Sequence, residues 1–383
     1  MALSGGLRQA SADHGLRIFH RRAGNRRPAC WSKLINQPVW ALSSKSGAPQ
    51  RSFQRSDERI MQRTSFYTFT SEFSDKVGNA GSFIWASYAG LWHLRQKAIE
   101  LGAVSSVPEW QKISDHLIGS VPGGGGVDLQ PLVSSSWSAI ETTFSDLILT
   151  QGAIHYEDWC VELARKTVAP ATKVKAETYQ FPAAARSPNW TNWSELDAPG
   201  VLPTSRFLDS QIKPGLMAAF ATNVSHLDAT LKWYRHFKEM RNAVAHHGGF
   251  ARLSNEQAYD AAAVVPLSKI GIRRDYASPR PVSGTRVSIS VADATLFLAV
   301  IQRLALAFDA KFCHTVAAEA HLADRVRAAL IKARPPGAAP RDKRLRWIGG
   351  FLRRGVHVYA ASLDKAEEWL RDTALVSIRP QLI

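Results

Sequence analysis

Residues 227–249 read LDATLKWYRHFKEMRNAVAHHGG, and this stretch decides how the chain is to be read. Leu227, Leu231, Tyr234, Phe237, Met240 and Val244 recur at steps of four and three, so one face of a 3.6-residue helix is apolar. The stripe predicts a helix that stops where Gly248 and Gly249 can take the left-handed backbone of a C-terminal cap. Close to that end stand Arg241, Asn242 and His246. Asn242 and His246 are four apart and share a face. Arg241 lies about 100° round the helix, and its long side chain reaches the same space. The small side chains of Ala243 and Ala245 leave that space open.

Those residue types suit attack on a phosphodiester. An imidazole moves a proton to or from a hydroxyl, and the negative end of a helix favours its charged form. A guanidinium braces the charge that grows on phosphate oxygens, with a fork geometry that Lys lacks. The plain alternative puts Arg241 on a solvated face and His246 over the last carbonyls. His247 invites a metal reading with His246 and His236. Adjacent histidines point to different helix faces, however, and no carboxylate is spaced to complete a site, so neither metal nor cofactor is expected. No G-x-S-x-G elbow occurs, which leaves a serine hydrolase unsupported.

The segment Arg241-Asn242-Ala243-Val244-Ala245-His246 resembles the signature of the HEPN superfamily, in which Arg, often followed by Asn, precedes His by four to six residues. As architecture the resemblance covers residues 80–320; as a motif it covers about ten. It implies a mainly α fold, a helical bundle that dimerises and brings two copies of the motif into one cleft. It also implies a metal-independent endoribonuclease of stress response or phage defence, with RNA as substrate and an antitoxin or regulatory partner; the cytoplasmic setting is expected from the sparse, odd cysteine count, which suits a reducing compartment. Carried over, His246 assists 2′-OH attack or protonates the leaving oxygen, Arg241 stabilises the transition state, and Asn242 orients the His or a phosphate. Glu239 and His247 are auxiliary candidates. The Tyr that antitoxin-modified relatives carry two residues after the His is Gly248 here, so that mode of regulation is not expected. The alternative reading is a non-catalytic RNA-binding or protein-interaction module on the same scaffold.

Working outward, three segments are expected: a basic arm over 1–60, a helical domain over 61–334, and a linker with a basic extension over 335–383. The arm holds nine Arg and two Lys against Asp13, Asp57 and Glu58, half of the chain's net +16. It reads as disordered, as an organelle transit peptide, or as sequence upstream of a true start at Met61. A basic excess favours a polyanionic partner, though weakly when half of it lies in a tail. The 45% apolar and 21% charged composition is that of a globular chain.

Helices are expected from Phe83 to about Leu101, from Ser136 to about Thr167, and from Ser290 onward. The last has Asp293 as the acidic partner of a capping box and Leu296, Val300, Ile301, Leu304 and Phe308 as its buried face. Residues 267–273 and 285–290 read as the strands of a small β-hairpin insertion. Pro170 to Pro203 reads as loop, with Trp190 and Trp193 as candidate base-stacking residues, and Gly123–Gly126 as a plain connection. No stretch reads as a membrane span; Phe83 to Leu94 is too short, and Thr295 to Phe308 is interrupted by Gln302 and Arg303. Cys30, Cys160 and Cys313 are too sparse for a zinc ribbon or a redox pair. A short amphipathic piece is expected around Ala366 to Leu370.

Overall fold

The structure, a computed structural model, describes residues 65–101, 134–167, 173–175, 190–192, 196 and 200–373 except 334, 337 and 338. The basic arm, the Gly123–Gly126 connection and Trp193 lie outside the described residues. Described helices are α1 (Thr68–Leu101), α2 (Trp137–Thr167), α3 (Lys213–Ala219), α4 (Ala221–Ser225), α5 (Leu227–His246), α6 (Leu253–Ala263), α7 (Val291–Phe312), α8 (Val316–Leu330), α9 (Arg341–Phe351) and α10 (Leu363–Asp372). Between α2 and α3, β1 (Lys173–Lys175) and β2 (Trp190–Asn192) pair in parallel with Lys173 opposite Trp190, inside the segment expected to be loop. The protein is mainly α.

Helix α7 is the axis of the bundle and packs against α1, α2 and α5. Its length and apolarity alone would suffice to cross a membrane, but 67% of its most apolar window is buried against the neighbouring elements. Leu296, Val300, Ile301, Leu304 and Phe308 are all in the core, as the periodicity predicts. Two glycines let the neighbours approach: a Cβ on Gly152 of α2 would lie 2.9 Å from the Phe297 ring, and one on Gly81 of α1 would lie 3.1 Å from Leu298. Ser290 caps the helix, its Oγ accepting from the Asp293 N–H at 3.0 Å. Asp293 does not return the bond. Its carboxylate instead accepts from the Ser278 N–H at 2.8 Å and the Ser278 hydroxyl at 2.6 Å, which fastens the loop before α7 to its first turn.

One end of the bundle is closed by a buried charge network. Asp309 of α7 is fully buried and accepts from the Phe66 N–H at 2.6 Å and the Tyr67 N–H at 3.1 Å, satisfying amides that precede α1. Burial pushes its carboxyl up to about 6, against hydrogen bonds that pull it down. Arg325 of α8 donates to the carbonyls of Phe66 and Val356, tying α8, α1 and the C-terminal helices at one point. Those C-terminal helices are not a detached extension. Phe207 stacks on Trp369 of α10 with ring centroids 4.7 Å apart, and the Trp369 indole N–H donates to Glu319 of α8 at 2.6 Å.

The expected hairpin is not formed. Leu267–Ile270 makes a 3₁₀ turn that ends on Gly271 at φ +74°, because its apolar positions recur every three residues rather than every two. Residue 286 instead makes an isolated antiparallel bridge to Phe250, just beyond α5.

Candidate functional site

Helix α5 buries Leu231, Tyr234, Phe237 and Met240 on the bundle and carries its last turn outward. The turn ends as the two glycines predict. His247 and Gly249 both donate their N–H to the Ala243 carbonyl at 3.0 Å, and Gly248 and Gly249 take φ +61° and +82°. That cap leaves His246 exposed, with His247 half-buried and its ring 6.4 Å from that of His246.

One turn back, Arg241 is half-buried and donates from Nη1 to Asn242 Oδ1 at 3.3 Å. Its Nε is buried without a hydrogen-bond partner, and no carboxylate among the described residues pairs with it. An unspent N–H on a cation is costly to bury, so it marks a place where an anion would be bound favourably. His247 Nδ1 is likewise buried without a partner. Arg241, Asn242 and His246 thus lie within the last two turns of one helix, Arg241 directly bonded to Asn242. No hydrogen bond joins Arg241 to His246.

Glu239 is elsewhere. It is 7% exposed and accepts an ion pair from Arg235 at 2.9 Å, a pairing one turn apart on the same helix. As a helper for the imidazole it is already committed. His236 is also removed from any cluster with His246: it is fully buried, its Nε2 lies 2.8 Å from the Tyr276 hydroxyl, and burial drives its imidazole down to about 3. Among the described residues, no group of three or more His, Cys, Asp or Glu stands close enough to share a metal ion.

Two residues that the sequence reading did not single out stand beside the helix end. Phe250 follows the glycine cap, is 46% exposed, and has the Arg286 guanidinium 5.7 Å above its ring centroid. The backbone holds this pair in place: Ala251 donates to the Thr285 carbonyl and Val287 to the Gly249 carbonyl, both at 2.8 Å. Arg286 lies in the segment read as a hairpin strand, so no local pattern pointed it toward His246.

Comparison with family models, with curated proteins and with solved structures gave no match.

Proposed function

We propose that the protein is a metal-independent endoribonuclease of the HEPN type, with His246 moving the proton and Arg241 bracing the phosphate, in stress response or phage defence. The observation that carries the reading is Arg241 itself: half-buried beside Asn242, with a buried N–H unspent and no carboxylate to neutralise it. Arg235 of the same helix is neutralised by Glu239 at 2.9 Å, whereas no carboxylate among the described residues pairs with Arg241. The exposed imidazole of His246 stands one turn further on, where a substrate hydroxyl has access. Phe250 and Arg286 add a π-face and a second cation, the combination on which single-stranded bases stack. The reading includes a second copy of the chain, so that two motifs flank one groove, as the resemblance to the superfamily implies.

The test is cleavage of single-stranded RNA in EDTA by the wild type, His246→Ala and Arg241→Ala. Loss of cleavage in both variants, with unchanged melting temperature, is the expected result. Equal cleavage by wild type and His246→Ala would sink the proposal. Tight, salt-sensitive RNA binding without turnover in the wild type would replace it with a binding module.

A further inference from the structure

A pocket of about 240 Å³ lies among the C-terminal half of α9, the turn that follows it and the start of α10. Its floor is apolar, built on Leu352, Val358 and Leu363, with the first two 3% and 2% exposed. Arg346 and Arg353 line it, and no carboxylate does. Tyr359 completes the lining with 46% of its surface exposed. Gly349 and Gly350 form the helix wall, where the missing side chains leave the backbone open to the pocket.

How these cations are partnered separates them from their neighbours. Arg341 pairs with Asp364 at 2.5 Å, Arg344 with Glu367 at 2.7 Å and Lys365 with Glu368 at 2.7 Å, all on the same two helices. Arg346 meets only the Asp342 carbonyl, at 3.3 Å, and Arg353 and Arg354 meet no acceptor among the described residues. Three acids of this helix pair, Asp364, Glu367 and Glu368, are spent on cations away from the pocket. What remains is a carboxylate-free concavity with guanidinium groups at its rim, an aromatic ring and an apolar floor.

We infer that this pocket binds a nucleotide monophosphate, the phosphate held by Arg346 and Arg353 and the base received over Tyr359 and the apolar floor. Guanidinium forks match phosphate oxygens bidentately, and an aromatic ring supplies a stacking face for any base. The volume lies below the roughly 300–1,000 Å³ of pockets that enclose drug-sized ligands, so the pocket receives the phosphate and one face of the base and leaves the rest of the nucleotide in solvent. That chemistry is shared by a free nucleotide and by the 5′-phosphorylated end of an RNA. The inference does not rest on the nuclease reading, because none of these residues belongs to the α5 site.

The experiment is a calorimetric titration of the full chain with AMP, adenosine, inorganic phosphate, and a short RNA with and without a 5′-phosphate. AMP is expected to bind at least about tenfold more tightly than adenosine, the difference being charge-assisted hydrogen bonds to the phosphate. Arg346→Ala and Arg353→Ala, both at exposed positions, are each expected to weaken AMP about tenfold with the melting temperature unchanged. Tyr359→Ala is expected to weaken AMP and leave inorganic phosphate alone. A preference for 5′-phosphorylated over 5′-hydroxyl RNA assigns the site to an RNA end, and binding of AMP without that preference assigns it to a free nucleotide. Equal affinity for AMP and adenosine, no AMP binding, or unchanged AMP affinity in both arginine variants overturns the inference. His246→Ala is expected to bind AMP as the wild type does, so failure of the nuclease reading and failure of this one are told apart.

Discussion

Two histidines ten positions apart on α5 have opposite fates. His236 is sealed between Trp233, Phe237, Tyr259 and Tyr276, bonded to the Tyr276 hydroxyl, and driven down to about 3 by burial. His246 stands exposed beyond the last packed turn. The same division separates Arg235, which is paired with Glu239, from Arg241, which has no carboxylate. The inner cation is neutralised by a carboxylate and the inner imidazole is sealed, whereas the outer cation meets only an amide oxygen and the outer imidazole faces solvent. The helix is a packing element over most of its length and presents side chains to solvent only where the bundle releases its last turn.

Exchanging the two histidines for neutral residues sharpens that contrast most. His246→Ala is expected to lower RNA cleavage by about 10²–10⁴-fold, the usual worth of a proton-transferring group, with no change in melting temperature. His236→Gln is expected to act on stability and on its pH dependence. Between about 3 and the ordinary value of 6.5, the unfolded chain binds a proton that folded His236 refuses. Stability is therefore complete above 6.5 and falls as the pH drops toward 3, by an amount on the order of 4 kcal/mol. Asp309 works the other way: its folded carboxyl, pushed up to about 6, keeps a proton that the unfolded chain loses above its ordinary 3.8. Its contribution falls as the pH rises through that window. Subtracting the denaturant midpoints of His236→Gln from those of the wild type, between pH 4 and 8, isolates the histidine. A flat difference would show that His236 is not the sealed member of the pair.

What the sequence made legible follows from how local each signal is. The α2 pattern predicted 136–167 and the helix spans Trp137–Thr167; the paired glycines placed the end of α5; Ser290 placed the start of α7. Each is a pattern within a few turns of chain. Periodicity did not say which apolar side chains end up inside: Phe83 on α1 and Leu147 and Ile154 on α2 are exposed. Helix α6 left no stripe to read because its buried face is Asn255, Ala258 and Ala262, too small to register as apolar. The Asp309 network was out of reach, since its bond to Phe66 spans 243 positions of sequence. That Arg241, Asn242 and His246 fall in the last two turns of one helix was legible because spacing along a single helix fixes it. The ion pair of Glu239, an auxiliary candidate, with Arg235 was not legible, because spacing on a helix does not say which neighbour a carboxylate meets. Phe250 and Arg286 were missed because a backbone bridge, not a motif, joins them.

The contrast between committed and available positions extends to residues with no side chain at all, and there it gives the smallest effects. Gly152 is committed: a methyl at that position would lie 2.9 Å from Phe297 and 3.0 Å from Leu298, inside van der Waals contact with the central helix. Gly152→Ala is expected to cost about 1–3 kcal/mol, read as a lower denaturant midpoint at unchanged slope, because α2 and α7 must separate to admit it. Gly90, on the long α1, is free: a Cβ there meets nothing within 4 Å. Gly90→Ala is expected to change sign and stabilise by about 0.5–1 kcal/mol, since alanine restricts the unfolded chain and clashes with nothing in the folded one. If both substitutions destabilise equally, α1 and α2 do not differ in how closely they are held at these two points. Opposite signs would place the close crossing at Gly152 and leave the Gly90 turn as open helix surface.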